Sequence, residues 1–339
     1  YDYLLIPKQA TVKKGVVKFS LDRDALERIS KTYVRAKPYA QSILRLRDEI
    51  KVIEALATEL RSDRWHCSYN IGGTDTGRLS SSEHPLRIGA NIQNIDDYVR
   101  RCFVADPGMI LYSCDQQGAE ARVVAYLSGD ENYISALEAG DVHTIVASMV
   151  FGFAPEKALA ERKYYRDLSY RDIAKRAAHG SNYGGSARTL ARVLKVETQI
   201  IEDFQRKYFK AFPRIRRWQE DVMDQVEKRR MVQNVFGYRY YMLGRVTHNT
   251  FNEAIAWIPQ STVACLINEA YMTIDEQYSD IEILLQVHDS LAGQFPSSIE
   301  QDAIRRIVAA AEVPLPYEGS PLIIPVGVKT STKSWGDCE

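Results

Sequence analysis

Cysteine is scarce in this 339-residue chain, and none of it is arranged in pairs. Cys67, Cys102, Cys114, Cys265 and Cys338 are scattered, without the spacing that a zinc site or a secreted disulfide framework requires. They read as reduced thiols of an intracellular protein. No apolar run reaches the length of a membrane span and no secretory signal is recognisable, so no membrane contact is expected. Net charge is missing too: 44 Lys+Arg balance 44 Asp+Glu. That zero argues against a polyanionic partner only if charge is spread evenly, and it is not. Residues 161–230 hold 18 Lys+Arg against 10 Asp+Glu, an excess of +8 that leaves −8 on the remainder. Local charge, not the total, sets the footprint for a phosphate backbone. The chain opens on Tyr1 rather than Met, as expected of a processed or truncated product of a longer polypeptide.

What is present is ordinary in bulk. Hydrophobic residues make up 45% and charged residues 26%, enough for a sizeable core and two or three subdomains. The informative stretch is 110–122. It starts apolar at Ile110, Leu111 and Tyr112, as a buried strand does, and places Asp115 where that strand would end. Glu120 and Arg122 follow. A carboxylate at the end of a buried strand is costly without a cationic partner, and a divalent metal is one such partner. One Asp alone is more simply an ordinary strand-end acid. A second apolar run, Ile283 to Val287, ends in His288 and Asp289, with Ser290–Gly293 expected to turn into a strand at Gln294 and Phe295. Two such acids could share two metals about 4 Å apart and clamp both oxygens of an in-line phosphoryl displacement. Magnesium suits oxygen ligands completed by substrate phosphates. The third segment places Arg171, Lys175, His179 and Tyr183 at four-residue intervals, hence on one helix face. Two cations followed by two rings suit a triphosphate and then a nucleoside, although a solvated basic helix has the same pattern.

These three segments resemble motifs A, B and C of the family A DNA polymerases, the bacterial DNA polymerase I type, in the right order and at compatible spacing. Thr76-Gly77-Arg78-Leu79-Ser80-Ser81, Asn91-Ile92-Gln93-Asn94-Ile95 and the C-terminal Lys333-Ser334-Trp335-Gly336 agree, so the likeness covers about residues 60–339. The resemblance implies an α+β right-hand fold with an antiparallel-sheet palm and helical fingers and thumb. Its expected boundaries are 1–84 for part of the thumb and its connection, 85–142 for the first part of the palm, 143–249 for the fingers and 250–339 for the second part of the palm. It implies a DNA polymerase that adds dNTPs to a primer 3′-hydroxyl on a primer-template. Asp115 and Asp289 would hold two Mg²⁺, with Mn²⁺ as a substitute, and Arg171 and Lys175 would neutralise the triphosphate, Lys175 also protonating the leaving pyrophosphate. His143, His179, Tyr183, Glu120 and Gln117 would line the dNTP site. Arg78, Gln93, Asn94, Gln260 and His288 would face the primer-template. It also implies a monomer in the cytoplasm of a bacterial cell or phage-infected host. No exonuclease is expected in this chain; upstream exonuclease or helicase/primase domains, or a processivity factor, are possible partners.

Along the chain, residues 1–19 read as a short extended segment or linker. Ser20 is expected to cap a helix starting at Leu21, with Asp22 and Asp24 in its first turn. Helix then continues to about Leu60 with a break near Pro38, and Leu44, Leu46, Ile50, Ile53 and Leu56 form an apolar stripe. Residues 63–95 read as loop-rich, with Arg100-Arg101 a candidate phosphate contact. A helix is expected over 119–140 and another from Asp141. Residues 154–245 read as largely helical, with Tyr208–Arg217 suited to template contact and a hairpin or tight loop at 234–245. Helix is expected over 249–276, then strands near 281–296 and 322–330 around a helix at 298–312.

Three positions depart from the family pattern: His179 for Phe or Tyr, Ser290 for Glu, and Ala256 for Asn. None is a proposed metal ligand. The nearest rival is a single-subunit RNA polymerase, against which Glu120 argues, since a side chain there would crowd a 2′-hydroxyl. A catalytically silent DNA-binding protein is the rival from another class, against which the intact Asp115, Asp289, Arg171 and Lys175 argue.

Overall fold

The structure, a computed structural model, describes residues 6–7, 10–13, 16–19, 21–56, 64–86, 89, 91–315 and 322–338. The chain forms two compact units, one of residues 1–68 with 81–103 and one of 69–80 with 104–339.

The first unit begins with an antiparallel hairpin of β1 (Ala10–Lys13) and β2 (Val16–Phe19). Helix α1 (Arg23–Thr32) follows. Its cap is Asp22, whose carboxylate accepts from the Ala25 N–H at 2.9 Å, so the helix starts two residues later than expected from Ser20, which lies outside the described residues. A carboxylate there meets both a free N–H and the positive helix end. The break expected near Pro38 falls at Val34–Ala36, just before α2 (Lys37–Leu56). Pro38 sits in the first turn, where its missing N–H costs nothing. The expected stripe on α2 is exposed at Leu46, Ile50 and Ile53, while Leu44 packs with the core of Leu26, Ile29 and Ala40; the Leu56 side chain and the expected continuation to Leu60 lie outside the described residues. Strands β3 (Cys67–Asn70) and β4 (Ser80–Glu83) form a two-stranded sheet, and the short helix α3 (Asp97–Arg100) follows.

The second unit is built on a four-stranded antiparallel sheet. Its central strand β5 (Met109–Gln116) precedes the helices α4 (Ala119–Ser128), α5 (Glu131–Glu138), α6 (Val142–Phe151) and α7 (Lys157–Ala160). The helix expected over 119–140 is therefore two, because Gly129 takes a left-handed φ of 61° and Asp130 caps anew. A small hairpin, β6 (Lys163–Tyr165) and β7 (Leu168–Ser169), leads into α8 (Tyr170–Asn182), α9 (Ala187–Leu194), α10 (Thr198–Ala211) and α11 (Pro213–Arg229). A second hairpin, β8 (Met231–Gln233) and β9 (Arg239–Tyr241), precedes the 30-residue α12 (His248–Gln277). Then come β10 (Glu282–Val287), β11 (Ser290–Pro296), α13 (Glu300–Ala311) and β12 (Val326–Ser331).

The sheet order is β10-β11-β5-β12. Ile110, Tyr112 and Cys114 point to one face and pack against Ile267, Ala270 and Ile274 of α12 and Ala303 and Ile307 of α13. A second core joins α4, α5, α6, α8, α10 and α11. Tyr208 and Phe212 are fully buried in it, ringed with Tyr133, so these two aromatics of 208–217 are core, whereas Phe209 is half-buried under the exposed Arg216. Spacing alone could not tell which side of α10 turns inward.

Candidate active site

Asp115 is exposed while its neighbours Cys114 and Gln116 are buried, because alternation along β5 sends it to the face opposite the helices. Its partner across the sheet on β11 is Ser290. The β10–β11 turn consists of His288 and Asp289, not of Ser290–Gly293 as expected, and Ser290–Gly293 are strand. His288 adopts a left-handed φ of 57°, which a two-residue hairpin of this twist demands. This register brings Asp289 beside Asp115, and the Gln116 N–H donates to the Asp289 carbonyl at 3.4 Å. Although Asp115 reaches solvent, the protein packed around its carboxyl strips part of its hydration, and this, reinforced by the charge of Asp289 and partly offset by Lys329 of β12, pushes the carboxyl up to about 6. Two hard oxygen donors held together at such a cost are a donor set that fits a divalent cation. Ser290 uses its hydroxyl to donate to the Val287 carbonyl at 2.8 Å. Among the described residues no group of three or more His, Cys, Asp or Glu could hold a metal, so the pair stands without a third carboxylate. Gln117 is exposed beside it, and a Cβ on Gly327, the β12 partner of Asp115, would meet its Nε2 at 3.2 Å.

Helix α8 opens with a capping box, Ser169 with Asp172, and buries Ile173, Ala174, Ala177 and Ala178. The opposite face carries Arg171, Lys175 and His179, with Lys175 and His179 exposed. Tyr183 is the cap residue just past the helix, followed by Gly184 at φ 72°; there a Cβ would be strained and would lie 2.8 Å from Asn252 Oδ1. The His179 and Tyr183 rings still meet edge to face at 4.7 Å. Arg171 is engaged: its Nε and Nη2 donate to Asp141 at 2.8 and 3.1 Å. Asp141 also caps α6, accepting from the His143 and Thr144 N–H groups and the Thr144 hydroxyl. Its burial opposes ionisation, but the hydrogen bonds from Arg171 and Thr144 prevail and hold it at about 2. His143, half-buried one residue into α6, is pushed down to about 4 by burial and by the charges of Arg171 and Lys175, against the opposing charge of Asp141.

Glu120 ties the two halves together. It accepts from the Tyr183 hydroxyl and pairs with Arg78. Burial, then the charge of Glu120, drives the Tyr183 hydroxyl far above its ordinary range, and Gln260 also hydrogen-bonds to it. Arg78, Glu120, Tyr183 and Gln260 thus form one network. The loop carrying Arg78 is pinned by Trp257, whose Nε1 donates to the Asp75 carbonyl at 2.8 Å, and by Asn268, which donates to the Gly77 carbonyl at 3.2 Å. Arg122 is structural, donating to the carbonyls of Gln117 and Leu137. His288 is exposed at the hairpin tip. Gln93 and Asn94 lie in the first unit. Asn94 is exposed, whereas Gln93 is buried and its Oε1 accepts from the Ser81 N–H at 2.9 Å, so that side chain holds β4 in place instead of offering itself to a ligand. Local reading missed Asp141, Trp257 and Lys329. In the sequence Asp141 reads only as a helix start, and it is the fold that brings Arg171 to it.

Residues 1–337 match the family described as DNA polymerase family A. A thermostable DNA polymerase I from Thermus thermophilus is 32% identical over 315 residues, 87% of this chain and 36% of that protein. DNA polymerase I from Chloroflexus aurantiacus is 34% identical over 309 residues, 85% of this chain and 31% of that protein. The chain therefore spans about a third of the length of these curated relatives. Among solved structures, the polymerase domain of Pol1 from M. smegmatis, in complex with DNA primer-template and dNTP, is similar with a TM-score of 0.81 at 28% identity, covering 99% of this chain and 59% of that one.

Proposed function

This chain belongs to DNA polymerase family A, and from that premise we propose that it is a template-directed DNA polymerase, extending a primer 3′-hydroxyl with dNTPs and releasing pyrophosphate. One observation carries the reading. The β5–β11 register sets Asp115 beside Asp289, and five residues on, Glu120 is bonded to Tyr183 at the end of the cationic face of α8. Carboxylates, cations and rings thus belong to one constellation, and the M. smegmatis neighbour is a complex with DNA primer-template and dNTP, which supports the reading.

In this reading Asp115 and Asp289 would hold a pair of Mg²⁺ ions, or Mn²⁺ in their place. When bound, such ions lower the pKa of the primer hydroxyl and neutralise charge on the phosphates. Arg171 and Lys175 bind the triphosphate, and Lys175 supplies a proton to the departing pyrophosphate. The fork from Arg171 to Asp141 uses one edge of the guanidinium and leaves Nη1 to face phosphate oxygens. His143, kept neutral by its surroundings, donates one N–H there. Glu120, fixed by Arg78 and Tyr183, crowds the sugar 2′ position, while Gln117 and His179 line the rest of the dNTP site. Arg78, Gln260, His288 and Asn94 serve the primer-template. The subdomains follow as thumb 1–84, palm 85–142 and 250–339, and fingers 143–249, in a monomer whose own residues do not proofread. The test is primer extension on a defined template with dNTPs and with NTPs. Extension with dNTPs alone is expected. Extension with NTPs as fast as with dNTPs would favour the RNA polymerase reading, and binding without extension the silent one.

A further inference from the structure

The hairpin of β8 and β9 is not used by the site described above, yet it presents large apolar side chains to solvent. Within eight residues, Phe236 is 37% exposed, Tyr238 46%, Tyr241 55% and Leu243 94%. These residues do not sit on a loose loop. Asn234 is buried, and its Oδ1 accepts from the backbone N–H groups of Phe236 and Tyr238, each at 3.0 Å. Its Nδ2 reaches Ser261 Oγ at 3.2 Å and Cys265 Sγ at 3.5 Å, which fastens the turn to α12. Gly237 supplies the left-handed φ of 82° that the turn needs. Tyr240 stacks on Trp257 with ring centres 5.5 Å apart, and Tyr238 tilts against the same ring at 5.6 Å. The Tyr240 hydroxyl occupies Glu253. Asn234 fixes the backbone at Phe236, strand pairing fixes it at Tyr241, and the packed Tyr238 and Tyr240 rings between them brace the frame, so little backbone freedom is lost when something flat is laid on it.

Within the segment itself the charge is of one sign, although Glu253 lies against Tyr240 and Asp224 pairs with Lys228. Residues 228–245 contain Lys228, Arg229, Arg230, Arg239 and Arg245 and no Asp or Glu. Arg229, Arg239 and Arg245 are exposed. The surface also continues into the candidate site, since a Cβ on Gly77, next to Arg78, would meet the Tyr238 ring at 3.6 Å. Exposed rings interleaved with cations suit a polyanion that carries flat apolar groups. Only an unpaired strand offers the faces of its bases, whereas a duplex hides them in its stack.

We propose that the Phe236–Arg245 segment is a stacking platform for single-stranded DNA, with Phe236 and Tyr241 receiving bases and Arg239 and Arg245 the phosphates between them. The polymerase reading enters only in taking DNA as the polyanion. The test is fluorescence anisotropy with a short labelled oligothymidylate and with a blunt duplex of equal length at fixed salt, on the wild type, Phe236→Ala, Tyr241→Ala and Tyr241→Phe. Loss of one stacked base predicts oligothymidylate binding weaker by about five- to a hundredfold in each alanine variant, with duplex binding changed by less than about twofold. Tyr241→Phe keeps the ring and should bind within about twofold of the wild type. Alanine variants that bind oligothymidylate as the wild type does, or that lose duplex binding equally, would overturn the platform. A wild type that extends primers alongside either result isolates the failure to this surface, and a wild type that does not extend them locates it in the polymerase reading.

Discussion

Asp115 should make metal binding depend on pH in a calculable way. Its carboxyl is held up at about 6, against an ordinary 3.8, by burial and by Asp289. A ligand carboxylate must be ionised to bind a cation, so each pH unit below 6 withholds the site. The ionised fraction is about 10% at pH 5 and about 90% at pH 7, so apparent affinity should rise about tenfold over that range and then level off. The sign for folding is opposite. Metal-free protein binds more protons folded than unfolded between pH 3.8 and about 6, so Asp115 costs stability progressively as pH rises through that interval. Asp289→Asn removes the like charge. The rise in affinity should then move to lower pH, while the plateau falls because one ligand is gone. The assay is Mn²⁺ binding followed by electron paramagnetic resonance from pH 5 to 8, without DNA or nucleotide. A wild-type affinity flat across that range, or a midpoint unmoved in Asp289→Asn, would refute the coupling of these two carboxylates.

Asp141→Asn keeps an oxygen to cap α6 but removes the charge facing Arg171, and urea denaturation should show a loss of about 0.5–1 kcal/mol at neutral pH. Since the Asp141 carboxyl lies at about 2, that difference should shrink as pH falls from about 4 towards 2; Asp141→Ala should lose about 1 kcal/mol more with the cap. Glu120→Ala breaks the link between Arg78 and Tyr183 and should raise NTP incorporation relative to dNTP by at least about tenfold in kcat/KM, a barrier change near 1.4 kcal/mol. His179→Phe deletes the ring nitrogens beside Tyr183, and the ratio of kcat/KM for dNTP over ddNTP should increase; an unchanged ratio would place His179 away from the sugar.

The parts of the fold that were legible in the sequence were those with a local signature. The strand ending in Asp115 and the four-residue spacing of Arg171, Lys175 and His179 both appear where expected. Features decided by distant partners were not legible. Arg171 and Asp141 are 30 residues apart, and Arg78 and Glu120 are 42 apart, so no window of sequence contains either pair. Amphipathic elements misled in another way. Tyr208 and Phe212 sit among lysines and arginines, yet the cations snorkel outward while the rings fill the core. Gly293 makes Ser290–Gly293 read as the hairpin turn, which the structure places at His288 and Asp289. Gly293 is instead strand that lets β10 and Tyr112 approach: a Cβ there would collide with the Glu282 carbonyl and the Tyr112 ring.

The central claim is that Asp115 and Asp289 together carry nucleotidyl transfer. Its most direct measurement is single-turnover extension of a primer by one dNTP with the wild type, Asp115→Asn and Asp289→Asn, alongside each protein's affinity for the same primer-template. Both variants are predicted to hold the DNA about as tightly as the wild type and to extend it at least a thousandfold more slowly, a barrier increase of about 4 kcal/mol. Extension by either variant within about tenfold of the wild-type rate would contradict the claim.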